Sequence, residues 1–79
     1  MIAFSDHALR KMQQRKLKKE WVLEALGEPD YSKPGHENRV IAFKKIEHLF
    51  LAVVYVKEDK NIVVITAHWE KGFKPIKEA

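Results

Sequence analysis

Two long apolar runs dominate the pattern of hydrophobic and polar positions along this chain. Residues 48–56 and 62–69 are rich in β-branched and aromatic residues, and the five polar residues from Lys57 to Asn61 separate them. Apolar runs of this composition around a short polar segment are typical of two antiparallel strands joined by a loop. The pattern therefore predicts a β-hairpin, which we expect to form the centre of the fold.

The alternation of side chains along the hairpin predicts which residues share a face. If Val56 lies opposite Ile62, one face is apolar throughout, and the other becomes polar where Thr66 and His68 lie. The apolar face then comprises Leu49, Leu51, Val53, Tyr55, Val63, Ile65, Ala67 and Trp69. Because an isolated hairpin is marginal in water, we expect the preceding segments to cover it.

The first third of the chain shows the spacing of amphipathic helices. Ser5 is of the type favoured at a helix N-cap, and a first helix is predicted from Asp6 to Lys16. A second helix is predicted to end just before Gly27, because glycine is favoured just after a helix and a proline follows. Lys18 is a poor N-cap for that second helix, so a single bent helix over residues 6–26 is the alternative.

The segment between the helices and the hairpin predicts one loop and one strand. Residues 28–38 contain two prolines and a glycine, which favour an exposed loop. Residues 39–44 predict a short strand, and a tight connection to the hairpin places Phe43 opposite Phe50. In that register, Arg39 lies on the same face as His68.

These elements predict an α+β fold in which two N-terminal helices pack on a three-stranded antiparallel sheet, as one domain over residues 1–79. Phe73 is the expected anchor of the C-terminal tail. The absence of cysteine excludes disulfides, zinc thiolates and thiol catalysis. No apolar stretch reaches the ~20 residues of a membrane span, and no leader peptide is recognisable. We therefore expect a cytoplasmic protein.

The positive charge is concentrated near the N-terminus. Residues 1–20 contain six cations and two carboxylates, whereas the cations and carboxylates of the remaining chain cancel, so the whole net charge of +4 lies in this segment. Such a patch favours binding to phosphate or to an acidic partner. The predicted nucleic-acid-binding residues are Arg10, Lys11, Arg15, Lys18 and Lys19. The alternative is a solvated helix face that only keeps the protein soluble.

The chain contains no strong catalytic or cofactor motif, and its four histidines show no metal-ligand spacing, so we expect neither a metal nor a cofactor. Metal-independent RNA cleavage needs a base for the 2′-hydroxyl, a cation for the phosphoryl transition state and an acid for the leaving oxygen. The candidate catalytic residues are His7, Arg15, Arg39 and His68. In the predicted register Arg39 lies roughly 13 Å from the row of His68, a distance that suits two phosphates.

Each candidate also has a purely structural interpretation. His7 near a helix N-terminus is disfavoured as a cation, so it can be a neutral surface residue. His68 can be an ordinary strand-end histidine, and Arg15 can pair with Glu20 or Asp30. Likewise, we expect Trp21 and Trp69 to pack as a pair in the core rather than to form a surface on which RNA bases stack.

Three short segments carry a family resemblance: HALRKMQQRKL at residues 7–17, EALGEP at 24–29 and VVITAHW at 63–69. Together they resemble a family of small bacterial and archaeal proteins of unassigned function that opens with His-Ala-x-x-Arg-Met-x-x-Arg. That family is grouped with the RelE and ParE superfamily of toxins from toxin–antitoxin systems. The resemblance covers about residues 4–69 and implies helices packed on a small antiparallel sheet. By analogy with RelE, it also implies a metal-independent ribonuclease acting on messenger RNA.

Carried over by motif, the family pattern is matched at His7, Arg15 and Thr66. Three positions depart from it: Lys11 stands where arginine is usual, Lys16 replaces a common glycine and Lys18 replaces a common serine cap. The two replacements near residue 17 leave the helix break open and strengthen the basic patch. ParE-type relatives inhibit a protein target, so the fold alone does not imply cleavage of RNA.

The sequence thus favours a toxin-like, metal-independent endoribonuclease that has RNA and an antitoxin protein as expected partners. The alternative is a noncatalytic module that binds nucleic acid or an acidic protein through the first helix. A third hypothesis is an interaction protein that pairs a partner with an exposed edge strand. Whether the chain is an enzyme at all, and its oligomeric state, stay open at this point.

Overall fold

A computed structural model describes residues 1–71. The elements in chain order are β1 (Ile2–Phe4), α1 (Asp6–Gln14), α2 (Lys19–Gly27), β2 (Tyr31–Pro34), β3 (Arg39–Ile46), β4 (Leu49–Glu58) and β5 (Asn61–Glu70). The strands form a mixed sheet in the order β1-β5-β4-β3-β2, in which β1 runs parallel to β5 and the other neighbours are antiparallel. Both helices pack on one face of this sheet.

The α+β class and the two helices are as predicted, but the three-stranded antiparallel sheet was wrong. The sheet has five strands and is mixed. Strand β1 has only three residues, too few to show an alternating pattern. Strand β2 lies where the prolines predicted a loop; Pro34 is compatible with an edge strand because its missing N–H faces away from the sheet.

The helix boundaries follow from local chemistry. As predicted, Ser5 caps α1: its Oγ accepts a hydrogen bond from the N–H of Ala8 at 3.0 Å. The break between the helices lies at Lys16, which has a positive φ of 54°, a conformation that glycine adopts with less strain. The alternative of one bent helix is therefore wrong. Helix α2 then starts after Lys18, whose side chain makes no capping bond.

The predicted hairpin is present, with a tighter turn and a different register. Glu58 lies opposite Asn61, so the turn consists of Asp59 and Lys60 rather than five residues. The predicted partner of Val56 was Ile62, whereas in the structure Val56 pairs with Val63. Near the turn, the residues of β5 that face the helices are therefore Ile62 and Val64.

A β-bulge then restores the predicted faces farther along β5. Tyr55 pairs with Val64 and Val54 with Thr66, so Ile65 is an extra residue without an opposite partner. Beyond it, Ala67 and Trp69 face the helices as predicted, and Thr66 and His68 face away. The core consequently contains residues three apart on β5, Val64 and Ala67.

The register between β3 and β4 is also shifted by two residues from the predicted one. Phe43 lies opposite Ala52 instead of Phe50, which faces Lys45. A shift of two residues preserves the faces, so Arg39 shares the face of His68 as predicted.

The core lies between the helices and one face of the sheet. Its buried residues are Ala8, Met12, Leu17, Val22, Ala25, Leu51, Val53, Val64 and Ala67. The other sheet face, called the open face below, carries no helix within residues 1–71. From the register it comprises Tyr31, Lys33, Arg39, Ile41, Phe43, Lys45, Phe50, Ala52, Val54, Val56, Val63, Thr66, His68 and Glu70. The expected anchor Phe73 lies outside the described residues.

Neither of the two helices in the described part of the chain has the length and apolar character that crossing a bilayer requires.

Candidate functional site

The free edge of β5 is where helix α1 brings a cation to the sheet. Strand β1 pairs only with Ile62 to Val64, so the rest of this edge has no neighbouring strand among residues 1–71. Arg15, the C-cap residue of α1, reaches it: its Nη1 donates a hydrogen bond to the carbonyl oxygen of Ala67 at 2.8 Å. Arg15 thus links the end of α1 to the far half of β5.

This hydrogen bond also orients one side of α1. His7, Lys11 and Arg15 are spaced by four residues, so they line one side of the helix. Because Arg15 bonds to Ala67, the Arg15 end of that side lies at the edge of β5. His7 is exposed and Lys11 is half-buried. We call these three residues the basic stripe.

A histidine and a carboxylate lie together on the open face at the end of β5. His68 Nε2 is 3.3 Å from Glu70 Oε2, and the two side chains are 36% and 39% exposed, so both are accessible to a ligand. Such a contact fixes the orientation of the imidazole ring and leaves Nδ1 for another partner. Ala52 is the cross-strand neighbour of His68.

The bonds of Arg15 and His68 bring three functional groups to one short stretch of β5. Arg15 is bonded to the carbonyl of Ala67, the residue directly before His68, and Glu70 follows two residues later. We call Arg15, His68 and Glu70 the edge cluster. A guanidinium binds phosphate through paired N–H groups, and an imidazole held by a carboxylate can transfer protons. The arrangement has the groups for both tasks.

The other predicted catalytic residues lie away from the edge cluster. Arg39 faces Val56 and is four strand residues from Phe43, which belongs to the row of His68; this corresponds to about 13 Å, as predicted. His7 lies in the first turn of α1, at the other end of the basic stripe from Arg15. The structure therefore brings Arg15 to the residue before His68, and leaves Arg39 and His7 farther out.

Three of the predicted nucleic-acid-binding residues lie outside the basic stripe. Arg10, Lys18 and Lys19 are exposed. Lys18 Nζ lies 5.2 Å from the ring centroid of Trp21, and Lys19 Nζ lies 5.1 Å from that of Phe4. These ring contacts hold the two lysine stems against the domain while their residues remain accessible to solvent.

The contacts bear on two of the structural interpretations. One of them paired Arg15 with Glu20 or Asp30. Arg15 instead bonds to the backbone of β5, and Asp30 accepts a hydrogen bond from the N–H of Lys45 at 2.8 Å. The two tryptophans, Trp21 and Trp69, pack against the core, as the structural interpretation predicted.

Glu70 is the residue of the edge cluster that the sequence analysis missed. The signal was present in the sequence: histidine and glutamate two residues apart on a strand point to the same face. The apolar run that predicts this strand ends at Trp69, whereas β5 extends to Glu70.

A concave surface lies beside α2, apart from the edge cluster. A groove of about 560 Å³ is lined by Glu20, Leu23, Glu24, Gly27, Glu28 and Lys44. Three of these residues are acidic, so the groove repels phosphate, in contrast to the basic stripe. Among residues 1–71, no group of three or more His, Asp or Glu side chains is arranged to hold a metal ion.

The structure defines an α+β domain with one helix-covered sheet face, one open face and a free edge of β5 that Arg15 contacts. Residues 4–69 match a family described as a domain of unknown function (DUF4258), and the chain belongs to that family. No curated protein matches the chain. No solved structure matches it either.

Proposed function

We propose that this protein is a toxin-like, metal-independent endoribonuclease of the RelE type, acting on single-stranded messenger RNA. The observation that carries the proposal is the edge cluster, in which the Arg15 guanidinium is bonded beside a histidine–carboxylate pair. The family resemblance and the N-terminal charge support an RNA ligand.

The chemistry assigned to the cluster is transesterification. The 2′-hydroxyl oxygen attacks the adjacent phosphorus, the bond to the 5′-oxygen breaks, and a 2′,3′-cyclic phosphate and a 5′-hydroxyl result. His68, held by Glu70 through Nε2, takes the 2′-hydroxyl proton at Nδ1. Arg15 stabilises the charge that develops on the phosphoryl oxygens. The leaving 5′-oxygen takes its proton from water, because His7, the other candidate for proton transfer, lies at the far end of the basic stripe from Arg15.

The remaining cations suit the flanking phosphates of an extended strand. Lys33, Arg39 and Lys45 lie on the open face on the β2 and β3 side of the sheet. Arg39 is about 13 Å from the row of His68, a distance that supports its assignment to a phosphate beyond the one being cleaved. Phosphate contacts of this kind position a strand without reading its bases.

The test is cleavage of a labelled single-stranded RNA by the purified protein in the presence of a metal chelator. We expect fragments with 2′,3′-cyclic phosphate ends. His68→Gln should abolish cleavage and leave RNA binding unchanged, whereas Arg15→Met should weaken both. His36→Gln, in the exposed loop before β3, is the matched control. Cleavage by His68→Gln at the wild-type rate would contradict the assignment.

The second candidate is a noncatalytic module that binds nucleic acid through α1. The observation that favours it is the Arg15 bond itself, because a guanidinium that joins a helix to a strand serves a structural role. Binding of the labelled RNA without any cleavage, weakened by Lys11→Ala, would support this candidate over the ribonuclease. A toxin would in addition have an antitoxin protein as partner, which co-purification from the native host would identify.

A further inference from the structure

The β-bulge at Ile65 decides which face of the sheet carries His68. Val64 and Ala67 both lie in the helix-side core although they are three residues apart. In a regular strand, residues an odd number apart point to opposite faces. The extra residue at position 65 therefore reverses the alternation between these two core positions.

If β5 kept its sequence but were a regular strand without the bulge, the two faces of its far half would be exchanged. Ile62 and Val64 face the core, and in a regular strand the later residues at even positions would face the core as well. His68 and Glu70 would then point towards the helices, and Trp69 would point away from Trp21. The bulge thus creates both the edge cluster and the packing beneath it.

Ser5 holds the bulge from the neighbouring segment. Its backbone N–H donates to the carbonyl of Val64 at 3.0 Å, and its hydroxyl donates to the carbonyl of Ile65, also at 3.0 Å. Successive carbonyls of a regular strand point to opposite edges, so one residue can bond both only where a bulge turns them to the same side. The same hydroxyl oxygen accepts the capping bond from Ala8.

We propose that Ser5 is a positioning residue: its hydroxyl latches the bulge at Ile65 and thereby holds His68 and Glu70 in place on the open face. It acts through β5 and contacts no reacting group. The role in catalysis rests on the proposed function, whereas the latch itself can be measured without RNA.

The chain allows the latch to be separated from the helix cap. Aspartate is as good an N-cap as serine, but its carboxylate has no proton to donate to Ile65. Ser5→Asp therefore keeps the cap and removes the latch. Ser5→Thr keeps both and is the matched control. Ser5→Gly, which removes the hydroxyl from a position where glycine is well tolerated, serves as a second test if the aspartate variant does not fold.

The experiment measures NMR signals of the His68 ring, amide hydrogen exchange at residues 64–67 and RNA cleavage. In Ser5→Asp we expect displaced ring signals, exchange faster by about ten-fold for the loss of one hydrogen bond, and cleavage slower by up to about a hundred-fold from misplacement of the base. Ser5→Thr should match the wild type in all three. Wild-type ring signals and exchange in both Ser5→Asp and Ser5→Gly would overturn the latch. Absence of cleavage by the wild type would overturn the proposed function alone, because the first two measurements do not involve RNA.

Discussion

The indole rings of Trp21 and Trp69 meet edge to face, with their centroids 5.6 Å apart and their planes inclined by 61°. This contact joins α2 to the end of β5, directly beside His68. Both side chains pack against the core while remaining partly accessible. The tryptophan pair therefore supports the strand end that carries the edge cluster.

Removing either ring should destabilise the domain. For Trp21→Ala we expect a loss of about 2–3 kcal/mol in the free energy of unfolding, below the range for fully buried tryptophan because this ring is only half-buried. A double-mutant cycle with Trp69→Ala should give a coupling of about 0.5–1.5 kcal/mol. Urea denaturation measures both. Leu23→Ala, on the exposed side of α2, is the control, and additive effects of the two tryptophan changes would contradict the contact.

Lys16→Gly should stabilise the domain. Lys16 has a φ of 54°, which strains any residue with a Cβ, whereas glycine adopts it readily. After the entropy that glycine gains in the unfolded chain is subtracted, we expect about 0.5–1 kcal/mol of stabilisation. The control is Gln13→Gly within α1, which should destabilise by about 1 kcal/mol. Equal losses in both variants, measured by thermal denaturation, would show that Lys16 is not strained.

The salt dependence of RNA binding should report on the basic stripe. Each phosphate contact adds about 0.7 to the slope of log K against log salt for single strands, so Lys11→Ala should reduce the slope by about that amount. Lys60→Ala removes the same charge from the β4–β5 turn, at the opposite end of β5 from the edge cluster, and should leave the slope unchanged. Titrations at several salt concentrations would test this. Equal slopes for the wild type and Lys11→Ala would remove the stripe from the interface.

Pro34→Thr should make the protein prone to self-association. The N–H of Gly35 donates to the carbonyl oxygen of Arg39 on β3, so the backbone nitrogen of residue 34 points away from β3, towards the free edge of the sheet. Because proline has no N–H, this edge position presents no hydrogen-bond donor. Threonine would add an N–H and a β-branched side chain to this edge. We expect a higher oligomeric fraction by light scattering. Pro29→Thr, outside the strands, is the control; the same behaviour in both variants would contradict the edge argument.

Local chemistry was sufficient to predict the helices and the hairpin. The Ser5 cap and the apolar stripe of α1 act over a few residues, and the apolar runs around Asp59 and Lys60 identify two adjacent strands. The short strands β1 and β2 could not be predicted in the same way. Three or four residues carry little periodic signal, and their strand conformation comes from pairing with β5 and β3.

The candidate site was predictable only in its residue types. The sequence pointed to Arg15 and His68, and the spacing of histidine and glutamate on β5 also contained Glu70. Their relative position depended on contacts distant in sequence, such as the bond from Arg15 to Ala67. Arg39 satisfied the same chemical criteria, yet four residues of strand separate it from the row of His68.

The sequence by itself determined the α+β class, the order of the two helices and the hairpin, and the concentration of positive charge in residues 1–20. These properties depend on neighbours within about one helical turn or one strand. Only the tertiary structure decided the five-stranded mixed sheet and the face on which His68 lies. The physical reason is that a single bulged residue, bonded by Ser5 from the other end of the chain, reverses the alternation in the rest of β5.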